Sequence, residues 1–383
     1  MRKNLAKAVF VLALALLAAL PLAAQKGSIK IGAILAVTGP ASNLGAPEAK
    51  TLEMLVAEAN AAGGIAGRKV ELVLKDSGAS PEKALSFARQ LIEEERVLAI
   101  IGPSTSGESM KIKDVAEEGR TILLSCAAAE SIVNPVAKWV FKTPQNDAFA
   151  TRWIYQYLKD KGLTRIGVVV SNTGFGLAGK AQLEKYAPEF GIEILIAETY
   201  DKDATDLTGV LTKLKAKEVQ AVVNWSIEPA QSLVAKNMRQ LGMDAPLLQS
   251  HGFGNIKYVE AAGQAAEGII FPCGRLLVAD LLPAGHPQKA LLEKYKKQYE
   301  AKYKEDVSTF GGHAYDAFII LAEAVRRAGS TDPEKVRDAI ENLKGFPGTA
   351  GIFNFSPADH NGLDMSSFEM LTVKNGKFTL LKP

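Results

Sequence analysis

Val97-Leu98-Ala99-Ile100-Ile101-Gly102-Pro103-Ser104-Thr105-Ser106-Gly107-Glu108-Ser109 decides how the chain is read. Its first five residues are apolar without alternation, the mark of a short strand covered on both faces. Gly102-Pro103 breaks the run, and the hydroxyl-rich stretch after it supplies side chains suited to a helix start, where the first amides lack partners. A buried strand passing through a glycine turn into a helix is the repeating unit of an α/β protein with a parallel sheet. The stretch also suggests chemistry: its amides and hydroxyls lie where a helix is partly positive, which suits a carboxylate or phosphate. Capping by one of the serines is the competing and compatible reading. The order is not Gly-x-Ser-x-Gly, which argues against a nucleophilic serine.

The unit recurs on either side. Residues 29–37, 70–75 and 121–125 join 97–101 in a first series of buried strands, each followed by helical periodicity. A second series begins near Asn146 with a helix through Trp153, Ile154 and Tyr157, and continues with strands at 165–170, 193–198, 221–224 and 247–249. Leu207, Val210, Leu211 and Leu214 share one helix face, with Thr205 or Asp206 as the expected cap. Two α/β lobes follow, linked by an extended crossing at 138–146 where Pro144 disfavours helix. Beyond it the rhythm changes to helices at 287–303, 314–328 and 333–343, then short strands separated by Gly and Asn.

Composition agrees with this and excludes other classes. At 383 residues and 47% hydrophobic, the chain has material for two or three cores and is not a disordered polymer. Arg2, Lys3 and Lys7 precede an apolar run from Ala8 to Leu20, and Pro21-Leu22-Ala23-Ala24 offers small residues before Gln25, the three parts of a secretory signal. The apolar run is about two-thirds of the roughly 20 residues a spanning helix needs. Removing 1–24 lowers Lys+Arg from 45 to 42, against 42 Asp+Glu. A neutral mature chain lacks the basic surplus of a nucleic-acid binder. No Cys stands near the cleavage site, so a freely soluble, exported, monomeric protein is expected, without a lipid anchor.

Among motifs, Gly174-x-Gly176-x-x-Gly179 follows a strand, opens a helix and has Glu198 beyond it, like a dinucleotide fingerprint. The spacer Ser171-Asn172-Thr173 delays the first glycine, and the motif sits in the second series. The competing reading is a glycine-rich turn that brings Phe175 to the sheet's carboxyl edge. Ser80-Pro81-Glu82-Lys83 reads as a capped helix start. His251, His286, His313 and His360 show no metal-ligand spacing with each other or with Cys126 and Cys273, so neither metal nor cofactor is expected. A disulfide is permitted in an oxidising compartment but is not implied. His251 follows a strand and therefore also lies at a carboxyl edge.

The order of motifs resembles the periplasmic substrate-binding proteins of the Leu/Ile/Val type, which feed ATP-driven (ABC) importers. The matching residues are Thr38-Gly39-Pro40 with Leu44-Gly45, Asn60-x-x-Gly63-Gly64-Ile65-x-Gly67, Ile101-Gly102 with Ser106, Glu118-Gly119, Phe175-Gly176, Gly252-x-Gly254, Ala266-Glu267-Gly268 and Tyr315-Asp316. The resemblance implies two Rossmann-like lobes with parallel sheets joined by a three-strand hinge, closing around a ligand and catalysing nothing. Residues 25–144 and 275–351 would form one lobe, and 145–274 and 352–383 the other, with crossings at 143–146, 272–276 and 352–355. It also implies that Ser106 and the backbone of Cys126, Ala127 and Ala128 take a ligand carboxylate. Leu44 and Phe175 would wall the pocket, Ile227 with Trp225 close by would contact the ligand from the second lobe, and Tyr315 is carried over as a contact.

Two departures bear on the ligand. His251 stands where amino-acid binders place the acid that takes the α-ammonium, and Ala128 where they place Thr; the family's cysteines are replaced by Ala79 and Thr105. A buried ammonium without an anionic partner costs several kcal/mol. The expected ligand is therefore a small carboxylate, an aromatic or branched acid lacking a free amino group, passed to a membrane permease. A branched-chain amino acid or amide is the runner-up, and an exported nicotinamide-dependent oxidoreductase the reading from another class.

Overall fold

The computed structural model describes residues 27–381; the segment read as a signal, 1–24, lies outside the described residues. The first series forms a parallel sheet of β1 (Ile29–Leu35), β2 (Val70–Asp76), β3 (Ala99–Ile101), β4 (Ile122–Ser125) and β5 (Val140–Lys142), in the order β2-β1-β3-β4-β5. Successive side chains take opposite faces, and both faces are covered. Ile31, Ala33, Leu35, Ile101 and Leu124 enter the core under the Ser42–Ala61 and Thr309–Ala328 helices. Ile34, Ile100, Leu123 and Val140 enter the core under Pro81–Arg89 and Ser106–Glu118. That two-sided burial is why these strands read as unbroken apolar runs.

The second sheet contains β6 (Arg165–Ser171), β7 (Glu193–Tyr200), β8 (Ala221–Trp225), β9 (Leu247–Gln249) and β10 (Ile270–Cys273), all parallel in the order β7-β6-β8-β9-β10. A short hairpin of β11 (Phe346–Pro347) and β12 (Ile352–Phe353) stands apart. β13 (Glu369–Lys374) and β14 (Lys377–Leu380) then extend the second sheet beyond β10 as antiparallel strands.

The chain crosses between lobes three times. The first crossing follows β5, and the second follows β10, where Cys273 belongs to the second core and Leu276 to the first. The third lies later than the expected 352–355. Phe353, Phe355 and Leu363 pack in the first core, and Phe368 is the first residue beyond them in the second. The reason is an aromatic stack that seals the β5 edge: Phe355 lies parallel to Phe353 at 5.3 Å and edge-on to Phe141, and His360 stacks on Phe141 at 4.0 Å. Residues 352–363 thus serve the first lobe, not the second. Local expectations are met at Ser80, which accepts from the Lys83 amide. The next cap differs: the helix begins at Thr208, and Asp206 accepts from the Thr208 amide in a turn just before it. Cys126 and Cys273 are buried and unbonded, one in each lobe.

Candidate ligand-binding site

Each sheet reverses its strand order once, between β1 and β3 and between β6 and β8. At the carboxyl ends of strands flanking such a reversal, an open α/β sheet leaves a crevice. Here the two crevices face each other and enclose a cavity of about 20 Å³, room for about one water, so a ligand enters only when the lobes part.

The segments after β1, β3 and β4 supply Leu44, Ser104, Ser106 and Cys126, Ala127 and Ala128; those after β6, β8 and β9 supply Phe175, Ile227, His251 and Gly252. Pro144 enters from the first crossing, and Phe310 and His313 from the start of the Thr309–Ala328 helix. Two expected contacts are elsewhere. Trp225 is fully buried behind the wall, with its ring 5.8 Å from that of Phe175 and 5.6 Å from that of His251. Tyr315 faces the first core, 4.7 Å from Tyr295. Helix geometry explains this: Phe310 and His313 are three residues apart on one face, whereas Tyr315 lies about 200° around from His313. Ser104 was anticipated only as part of the hydroxyl-rich stretch after Gly102, and Pro144, Phe310 and His313 not as contacts; the three-residue spacing of Phe310 and His313 was the available signal.

Capping and cradle are divided between neighbours. Thr105 is the cap, accepting from the Glu108 amide, so Ser106 is left to line the cavity, where its Oγ accepts from the Ala129 amide at 3.3 Å. Ser104 accepts from the Ala36 amide and donates to the Glu48 carboxyl. Glu48 is wholly buried, and desolvation pushes it up to about 8, so it is predominantly neutral at pH 7.

The floor holds two histidines over a buried lysine and a buried aspartate. Lys142 has no exposed surface and donates to the carbonyls of Ala128 at 2.6 Å and Gln145 at 3.4 Å. Burial lowers its pKa and raises that of Asp147, with each opposing the other's shift. Burial, then Lys142, then His313 hold His251 well below its ordinary value, and burial with Lys142 pushes His313 down to about 3. Both imidazoles are neutral at pH 7. An imidazolium repelling an ammonium is therefore absent from the site, and Lys142 is the nearby positive charge. Both nitrogens of His251 and Nδ1 of His313 lack hydrogen-bond partners. Among the described residues, no three His, Cys, Asp or Glu side chains converge on a metal position.

Each glycine of the Gly174 motif has a packing reason. A Cβ on Gly174 would sit 2.7 Å from the Gly107 backbone of the opposite lobe, on Gly176 2.0 Å from the Ser171 carbonyl, and on Gly179 2.2 Å from the Trp225 indole. The first marks where the lobes touch. Gln182 donating to Glu130 and Asn255 donating to the Asn43 carbonyl also bridge them, so the cleft is closed.

Two reversed crevices enclosing a small cavity are the arrangement of a protein that binds between hinged lobes, and residues 28–377 match the family model described as periplasmic binding protein. The chain belongs to that family. Periplasmic binding proteins similar to it include the leucine-, isoleucine-, valine-, threonine- and alanine-binding protein of Pseudomonas aeruginosa, 27% identical over 92% of this chain and 89% of that protein. The branched-chain amino acid binding protein LivJ of Streptococcus pneumoniae, solved with isoleucine, is 27% identical with a TM-score of 0.81, over 93% of this chain and 100% of that one. A solute-binding protein of an ABC transporter from Rhodopseudomonas palustris BisB5, solved with 3,4-dihydroxybenzoic acid, shares the fold at 17% identity and a TM-score of 0.78, over 92% and 95%.

Proposed function

We propose that the chain is the extracytoplasmic binding component of an ABC importer, handing a small carboxylate without a free amino group to a membrane permease. The observation that carries this is the cavity surface: no Asp or Glu lines it. A carboxylate would meet Ser106, main-chain amides and the start of the Ser106–Glu118 helix, all suited to negative charge. An ammonium would meet only neutral groups at the cavity surface, with the Asp147 carboxyl behind His251. Phe175, Ile227, Leu44 and Phe310 favour an aromatic or branched body. Because one relative is solved with isoleucine and a distant one with a benzoic acid, the fold itself does not choose between them.

One observation favours the runner-up, a branched-chain amino acid. Neutral His251 has an acceptor nitrogen, and Asp147 lies 3.5 Å behind its Nε2, so the pair could receive an ammonium indirectly. A thermal-shift panel separates the readings: benzoate and 4-methyl-2-oxopentanoate should raise Tm more than leucine at equal concentration. Saturation at a hundred times Kd adds about 2.7 kcal/mol. A larger shift with leucine, isoleucine or valine replaces this reading with the amino-acid one. Retention of nicotinamide fluorescence by the purified protein would instead support the oxidoreductase.

A further inference from the structure

We propose that the Lys142 and Asp147 pair beneath the cavity is a charge selector: an anionic ligand binds together with one proton, which Asp147 takes up while Lys142 remains charged. This rests on the carboxylate reading. The two residues flank the first crossing, Lys142 as the last residue of β5 and Asp147 as the first of the Asp147–Asp160 helix, and neither has exposed surface. Each communicates with the cavity through one residue that lines it. Lys142 is tied to the carbonyl of Ala128, and Asp147 Oδ1 lies 3.5 Å from His251 Nε2.

Ionised, the pair sums to zero. An anion enclosed beside it would add an uncompensated charge in a site from which closure excludes water, at a cost of several kcal/mol. A proton removes that cost, and Asp147 is the group placed to accept it. The other charged or titratable groups that face the pair are Glu130, Asp359, His251 and His313. Glu130 is held by Asn134 and Gln182, and Asp359 by the amides of Asn361 and Gly362. Neither oxygen of Asp147 has a partner.

Protonation also gives Asp147 a donor. Its hydroxyl would give a hydrogen to His251 Nε2, leaving the ring hydrogen on Nδ1 as a donor for a ligand oxygen. A zwitterion needs the reverse: an ionised Asp147, an accepting imidazole and no proton uptake. Burial moves the Lys142 and Asp147 titrations toward each other, which places the exchange near neutral pH.

Calorimetry tests this with benzoate, 4-methyl-2-oxopentanoate and leucine on the whole protein from pH 6 to 9, in buffers of different ionisation enthalpy. For an acid, we expect uptake approaching one proton and a Kd that rises with pH by up to about tenfold per unit. Asp147→Asn, which keeps the shape but cannot titrate, should abolish uptake and flatten the profile. Lys142→Met should weaken acid binding more than about tenfold; if it does not fold, Asp147→Asn still decides. An acid bound without proton uptake, or with uptake unchanged in Asp147→Asn, overturns the inference and leaves the carboxylate reading standing. Binding of leucine alone overturns both.

Discussion

The two walls of the cavity are built in opposite ways. The first-lobe wall is small side chains and main chain, held by short polar contacts: the Cys126 amide to the Pro103 carbonyl at 3.2 Å, the Ala127 amide to Ser125 Oγ at 3.1 Å and the Ala129 amide to Ser106 Oγ at 3.3 Å. The second-lobe wall is rings. His251 is boxed edge-on by Phe175, Trp225 and Phe368 at 5.5 to 5.7 Å. Small residues allow the backbone to reach a ligand; these bonds occupy the Cys126, Ala127 and Ala129 amides and hold Ser106 in place before the ligand arrives, with its hydroxyl hydrogen left to donate. Rings fill volume and exclude water but set direction only loosely. The first wall should therefore fix the charged end of the ligand, and the second should sense its body and the closing of the lobes.

The largest break in this division comes from the place where the walls touch. Gly174→Val would drive a branched side chain into the Gly107 backbone, already 2.7 Å from the first added carbon, so the closed state is lost while each lobe keeps its own core. A ligand that needs both walls stabilises only the closed state. Affinity should fall by more than about a hundredfold, near 3 kcal/mol, and small-angle scattering should show no compaction on adding ligand. Normal binding with normal compaction would mean that the lobes close without this contact.

Removing one donor from the first wall comes next. Ser106→Ala deletes a hydrogen bond to an anion, about 1.5 to 3 kcal/mol, or roughly a tenfold to hundredfold loss. Because Thr105 and not Ser106 caps the helix, the cap survives, and Tm of the ligand-free protein should fall only by what the buried Ala129 amide loses with its Ser106 partner, about 1 to 3 kcal/mol. A larger drop in that Tm would make Ser106 a structural residue.

The walls also differ in how legible they were in the sequence. The first-lobe wall follows strands that are covered on both faces and end in short turns, so the apolar run before Gly102 locates the hydroxyl-rich stretch at 103–109, and the resemblance to the family singles out Ser106 there and adds Cys126 to Ala128. Contacts from helices require the rotation of the helix as well, which is why Tyr315 was expected and His313 was not. Trp225 points away because Gly179 leaves room for its indole, a contact between elements that no local pattern carries. The third crossing was placed too early because the stack of Phe353, Phe355, His360 and Phe141 is long-range. Lys142 and Asp147 had a different fate. Both are charged residues, one in the 138–146 crossing and one at the start of the helix after it, and only the fold shows them buried.

On the second wall, His251→Glu sharpens the comparison more gently. The carboxylate it introduces should weaken acid binding about tenfold, through like charge beside the ligand. With Lys142 below and an acceptor now in place, leucine should gain affinity by a similar factor. A variant that loses acids without gaining leucine would mean that the second wall selects by shape and not by charge.

The smallest effect is on stability, where two buried groups of the first lobe should respond to pH with opposite sign. Behind the first wall, Glu48 is raised from 4.5 to about 8, so the folded protein holds a proton that the unfolded chain releases. Stability from this group is present below pH 4.5 and is lost as pH rises through about 8, at no more than about 1.4 kcal/mol per unit. On the same lobe, in the Thr309–Ala328 helix, His313 is lowered from 6.5 to about 3, so its contribution is present above pH 6.5 and is lost as pH falls toward 3. Glu48→Gln should therefore raise Tm at pH 8 relative to the parent by a few degrees and leave pH 4 almost unchanged. His313→Gln should flatten the decline below pH 6.5 and leave pH 8 unchanged. Thermal melts of the ligand-free protein across pH 4 to 9 decide it. If Glu48→Gln instead destabilises at pH 8, the carboxyl is ionised in the folded state, and Ser104 is bound to a carboxylate that the first wall must accommodate beside an incoming anion.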